Sequence, residues 1–103
     1  ISEDMATSGD YFALQARGRS MEPRMKEGDV VIIRQQPDVD NGDIAIVLVN
    51  GNDATIKKIG KSSEGIMLVP TNPAFEPIFY NNREIMELPV KILGKVVELR
   101  AKF

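Results

Sequence analysis

Cysteine and histidine are both absent from this 103-residue chain. Their absence removes disulfides, thiol nucleophiles, zinc sites of the usual kind and the serine–histidine–aspartate triad together. Positive charge is also scarce: 13 lysines and arginines stand against 15 aspartates and glutamates, a net charge of −2. No basic footprint for nucleic acid results, so DNA binding by a parent protein would belong to another segment. The longest apolar runs, "VVII" and "IAIVLV", fall far short of the ~18 residues a membrane helix requires. No signal peptide, internal repeat or low-complexity tract is visible. No glycine loop has the spacing of a phosphate cradle and no carboxylate set that of a calcium loop, so neither cofactor nor metal is expected. The lack of cysteine fits a reducing, cytoplasmic compartment.

With 43% hydrophobic and 27% charged residues, the chain has the balance of a soluble globular protein, and its length that of one domain, residues 1–103. Strand patterns dominate, with turn residues between them. In "YFALQAR" the side chains of Phe12, Leu14 and Ala16 alternate with those of Tyr11, Ala13, Gln15 and Arg17. "EGD" precedes the β-branched run Val30–Ile33, and the polar loop "QQPDVDNGD" leads into Ile44–Val49. Two runs buried on both faces predict a layered or barrel-like core. "NGN" at 50–52 is a hairpin signal leading to the returning strand "DATIKKI", which the loop "GKSSEG" closes. Next come "IMLVP", "IFY" and a last apolar-rich run, Val90 to Phe103, interrupted at Gly94 by an expected bend or bulge. Helix is expected only as a turn after Ser20 and another near the N-terminus. The fold class is mainly β, a compact fold of twisted sheets.

Two side chains stand out chemically. Ser20 lies in "GRSMEP", where Gly18 lets the strand bend sharply and Pro23 stiffens the far side of the turn. Such a bend exposes a side chain and aims backbone N–H groups at one point, as an oxyanion hole requires. The plainer reading is a hydroxyl that caps its own turn. A nucleophilic serine needs a base, and without histidine a desolvated lysine is the best remaining candidate. "ATIKKI" supplies Lys57 and Lys58, which strand alternation places on opposite faces, so at most one points into a site. Both could equally be solvated residues of a hairpin arm. Lys91 and Lys95 read as half-exposed, and Asp38, Asp40 and Asp43 as a solvated acidic loop.

"GRSMEPRMKEGDVVII", followed by "NGDIAIVLVNGNDATIKKI", resembles the LexA-type self-cleaving domain, the C-terminal domain of LexA, lambda-like phage repressors and UmuD. The resemblance extends from "GDYFALQARG" to "VKILGKVVELR". It implies a compact β fold in which Ser20 is the nucleophile and Lys57 the general base, with Lys58 its outward neighbour. It further implies an autoproteolytic, dimerising part of a transcriptional repressor, induced in the SOS response or in a prophage. Its partners would be a RecA–single-stranded-DNA filament or an antirepressor, with DNA bound through a helix-turn-helix domain upstream.

Family members cut themselves at an Ala-Gly or Cys-Gly bond, and neither dipeptide occurs here. The chain is therefore expected to be a piece of a longer protein that keeps the pair without the bond. Two alternatives remain: a non-catalytic dimerisation or antirepressor-binding module, and a membrane signal peptidase core, which shares the serine–lysine chemistry. Further expectations are a homodimer formed through an unpaired strand in Val90–Phe103, by strand pairing or face-to-face contact, no membrane contact, and a Lys57 held far below an ordinary lysine by burial at a large cost in stability.

Overall fold

β-Branched and aliphatic runs become strands wherever the alternation predicts them. A computed structural model describes residues 10–100. Its strands are β1 (Tyr11–Gln15), β2 (Val30–Gln35), β3 (Ile44–Val49), β4 (Asp53–Ser62), β5 (Gly65–Val69), β6 (Ile78–Asn81) and β7 (Val90–Arg100). They form one sheet in the order β1-β2-β7-β3-β4-β5-β6, antiparallel at every pairing. The turn expected near the N-terminus lies outside the described residues.

The two runs read as buried on both faces are so: Val31, Ile32, Ile33, Ala45, Ile46 and Val47 are all nearly inaccessible. One apolar cluster gathers Ala16, Met21, Met25, Val31, Ile33 and Ile46, with Phe12, Leu14 and Ile56 packed against it. The other centres on Ala45, Val47, Ile59, Ile66 and Leu68. Strands lie ~4.8 Å apart, so β1 and β4, four ladder steps apart, would be ~19 Å from each other in a flat sheet. Leu14 of β1 and Ile56 of β4 nevertheless share a cluster. The sheet must therefore curl strongly, which gives the barrel-like core within one continuous sheet.

Three expectations need correction. The run from Val90 is not unpaired along its length: β7 pairs with β3 over residues 90–95 and with β2 over residues 94–100, so only residues 96–100 keep an open β3-side edge among the described residues. An interior strand is where a long apolar run is best buried. The "GKSSEG" stretch is also mostly strand: β4 runs to Ser62, which pairs with Gly65 across a two-residue turn. Lys61 secures this extension. Its Nζ lies 2.9 Å from Asp38 Oδ2, and its N–H donates to Asn41 Oδ1. The acidic loop is thus partly paired rather than only solvated. The Lys61 hydrogen bond and the Val39 N–H hold the Asp38 carboxyl below its usual range, and Asp43 faces Lys95 at 3.6 Å. Third, Asn82–Glu87 forms a helix, α1. Asn81 caps it, accepting from Glu84 N–H, while the Glu84 carboxylate accepts from Asn81 N–H. Ile85 and Leu88 pack this end of the chain onto the second cluster.

Two turn readings hold. In the "NGN" hairpin Asn50 and Gly51 both take positive φ, 55° and 76°. At Gly94 the expected irregularity is a pair of register shifts that leave Leu93 and Val97 as extra residues in β7. The bulges flank a close approach: a Cβ on Gly94 would lie 2.4 Å from the Arg34 carbonyl oxygen and 2.5 Å from Ile33 Cγ2.

Gly94→Ala should therefore cost about 1–3 kcal/mol or more, as overpacking does. Gly60→Ala should be neutral or stabilising by up to ~1 kcal/mol, because its added Cβ meets only Met67, whose Cβ lies at 3.5 Å and carbonyl oxygen at 3.9 Å, both ordinary contacts. Urea denaturation of both variants checks the contrast.

Candidate active site

Ser20 sits in the connection between β1 and β2, a loop tied at its base. Ala16 N–H donates to Asp29 O and Gly28 N–H to Ala16 O. Gly18 turns the chain at φ 77°, the sharp bend expected of it, and its N–H donates to Glu27 Oε1. Beyond it, Glu22 N–H reaches Arg19 O, and Met25 N–H reaches Met21 O in the single turn expected after Ser20. The buried Met21 and Met25 side chains anchor this turn in the first apolar cluster.

A second segment clamps the same turn from outside. Asn72 N–H donates to Ser20 O at 2.9 Å, Asn72 Nδ2 to Arg19 O, and Thr71 Oγ1 to Met21 O. Three successive carbonyls of the serine turn are thus held by the loop after β5. The hydroxyl of Ser20 takes no part, having no hydrogen-bond partner among the described residues. The turn is built without it, so the capping reading finds no support.

Lys57 lies on β4 opposite Ala45 of β3. It is half-buried, whereas Lys58 is exposed, as alternation requires. Its Nζ donates to Thr55 Oγ1, two residues earlier on the same strand face. Desolvation by burial holds the Lys57 ammonium below the ordinary lysine value. Partial exposure makes the stability cost smaller than the full burial expected from the apolar strand pattern.

Ser20 and Lys57 line one cavity of about 230 Å³, with Leu14, Gly18, Met21 and Ile46 among its walls. Among the described residues no carboxylate lines it, so none of them offers the amine an ion pair there. Among the described residues no group of His, Cys, Asp or Glu could hold a metal ion. Lys58, Lys91 and Lys95 do not line the cavity. Thr55 escaped the reading of the sequence, although its position two before Lys57 carried the signal. Thr71 and Asn72 had none, because the chain separates them from the serine turn by some fifty residues.

The curled β fold thus brings an unengaged serine and a desolvated lysine to the lining of one cavity. The chain belongs to the Peptidase S24-like family, whose pattern it matches over residues 1–97. It is similar to the LexA repressor of Pseudothermotoga lettingae, 46% identical over 89 residues, covering 85% of this chain and 42% of that protein. It is also similar to the LexA repressors of Ruegeria sp. (40% identical, 92% of this chain and 38% of that protein) and Geobacter sp. (39%, 94% and 47%). The chain thus spans less than half the length of these relatives.

Because folding lowers the Lys57 pKa, the unfolded chain binds the extra proton between the folded value and the ordinary ~10.4. Stability therefore rises with pH across that window and is penalised throughout below it. Lys57→Met should be more stable than wild type near neutral pH, with the difference fading above pH ~10.4. Lys58→Met should change neither level nor slope. Chemical denaturation of the three proteins across pH tests this.

Proposed function

We propose that this domain is a serine–lysine endopeptidase that cuts an Ala-Gly-type bond in an extended segment of its own parent chain. The observation that carries this is the shared cavity, with a serine hydroxyl that its own turn does not use facing the same space as a desolvated amine. The cavity lies between two strand edges that lack neighbours among the described residues. β1 ends the sheet, and β4 pairs with β5 only from Lys58 onward, leaving Asp53–Lys57 open. An extended segment can add to such edges through main-chain hydrogen bonds.

Neutral Lys57 Nζ takes the hydroxyl proton as Ser20 Oγ attacks the carbonyl carbon of the scissile bond. The developing oxyanion is assigned to the main-chain N–H of Ser20, which donates to no described residue. Protonated Lys57 passes its proton to the departing amine, leaving an acyl-enzyme and a new N-terminus. Water, deprotonated by Lys57, then releases the acyl group. Thr55 Oγ1 orients the amine by accepting a hydrogen bond from it. Because only neutral lysine can act, the rate should rise with pH until Lys57 is fully deprotonated.

The named relatives are repressors, and the same role is proposed for the parent of this chain. A helix-turn-helix domain outside this sequence would hold DNA, and cleavage would separate it from the dimerising part. A second DNA contact then loses its effective concentration and the repressor leaves its operator. A RecA–single-stranded-DNA filament or an antirepressor would supply the trigger, in the cytoplasm. No helix among the described residues is long and apolar enough to cross a membrane.

Ser20→Ala should abolish cleavage in a chain extended upstream to include the scissile bond, while changing stability by no more than ~0.5 kcal/mol. In the same assay Thr55→Val should slow cleavage without abolishing it. Mass spectrometry after a shift to alkaline pH reads both; wild-type cleavage by the alanine variant would remove Ser20 from the mechanism.

Dimerisation is assigned to the C-terminal part of β7, where residues 96–100 pair with β2 but have no β3 partner among the described residues, which leaves an edge for strand pairing and a face for contact. Val97 and Leu99 are 43% and 39% exposed there. Sedimentation over a wide concentration range should show a dimer that the pair Val97→Asp and Leu99→Asp dissociates. A strict monomer at high concentration in the wild type would contradict the assignment.

A further inference from the structure

Beyond Lys57 lies a second cavity, of about 330 Å³, that shares Ala54, Thr55 and Lys57 with the first. The two are continuous along the open edge of β4, so a strand laid against that edge passes from one to the other. Successive side chains of such a strand alternate in direction at ~3.3 Å per residue. One of them, away from the scissile bond, would be directed at this second cavity.

Its chemistry differs from that of the first. Leu68, Ile78 and Tyr80 give it an apolar floor, and Ile78 is left 51% exposed, open to cover by a ligand. Two carboxylates, Asp53 and Glu76, stand in the same lining. Both are exposed, and neither has an ion-pair or hydrogen-bond partner among the described residues. By contrast, Asp38 and Asp43 are each paired with a lysine. An aliphatic stem over the floor with a cationic tip between the carboxylates satisfies both features at once, as lysine and arginine side chains do.

We propose that this second cavity is a specificity pocket selecting a lysine or arginine of the segment to be cut. The proposal rests on the peptide-cleaving reading for the identity of its ligand, but its charge preference is separable from cleavage.

The test uses the whole chain and short peptides carrying an Ala-Gly bond, in which each flanking position in turn is lysine, norleucine or glutamate. Binding is measured on Ser20→Ala by fluorescence anisotropy and cleavage on the wild type by mass spectrometry. At one position lysine should bind about fivefold more tightly than norleucine, the scale of two exposed ion pairs, and glutamate more weakly than either. High salt should compress the ratio. Asp53→Asn with Glu76→Gln should bring the lysine-to-norleucine ratio to about one. Asp53→Lys with Glu76→Lys should turn the preference toward glutamate, a gain that a misfolded protein could not produce.

No position preferring lysine, or a preference that survives both double variants, overturns the pocket. Charge-selective binding without any cleavage overturns the peptidase reading and leaves the pocket standing. Cleavage without selectivity does the reverse, and absence of both binding and cleavage overturns both.

Discussion

Everything at the candidate site depends on β7 bridging β2 and β3, the first through its C-terminal half and the second through its N-terminal half. The serine turn hangs from β1 and β2, and Lys57 belongs to β4, whose partner is β3. β2 and β3 do not touch each other in the ladder; β7 joins them. Without that strand the nucleophile and the candidate base would sit on two unconnected hairpins. β7 also helps to bend the sheet, since its bulges at Leu93 and Val97 increase local twist. Gly94 lies between them, where β2 comes too close for any side chain.

Curling brings β1 around toward β4 without closing the ring, and the remaining gap is the cavity. Thr71 and Asn72 bridge from the loop after β5 to the main chain of the serine turn. They fix the turn while leaving the Ser20 side chain unengaged. Lys57 is held with comparable economy: half-buried, hydrogen-bonded to Thr55 and with no carboxylate among the described residues lining the cavity. Its pKa is lowered by desolvation alone, at a smaller cost in stability than a fully buried ammonium would carry.

Period-two alternation made β1, β2, β3 and the first part of β4 legible, and it set Lys57 and Lys58 on opposite faces, while the choice between them came from the resemblance. The "NGN" turn and the bend at Gly18 were equally plain, because positive φ leaves a mark in residue type. Neighbour identity was not legible. An apolar run such as Val90–Arg100 looks the same at a sheet edge as at its centre, and only the fold decides. Helix α1 was missed although Asn81 and Glu84 have capping-box spacing; of its two half-buried residues, Glu84 and Ile85, only Ile85 is apolar, which gives no helical period to notice. The Lys61–Asp38 pair and the Thr71–Asn72 clamp join residues far apart in the chain, and local pattern contains no trace of them.

The central claim is that Ser20 is a nucleophile because Lys57 removes its proton. A fluorophosphonate probe tests this directly, since it reports serine nucleophilicity without a scissile bond. Labelling of the whole chain would be followed across pH, with the adduct located by peptide mass spectrometry. The account predicts a single adduct at Ser20, formed faster as pH rises toward the Lys57 pKa, and lost in Lys57→Met but retained in Lys58→Met. Labelling of other serines to the same extent, or a Ser20 adduct whose rate is unchanged in Lys57→Met, would contradict it.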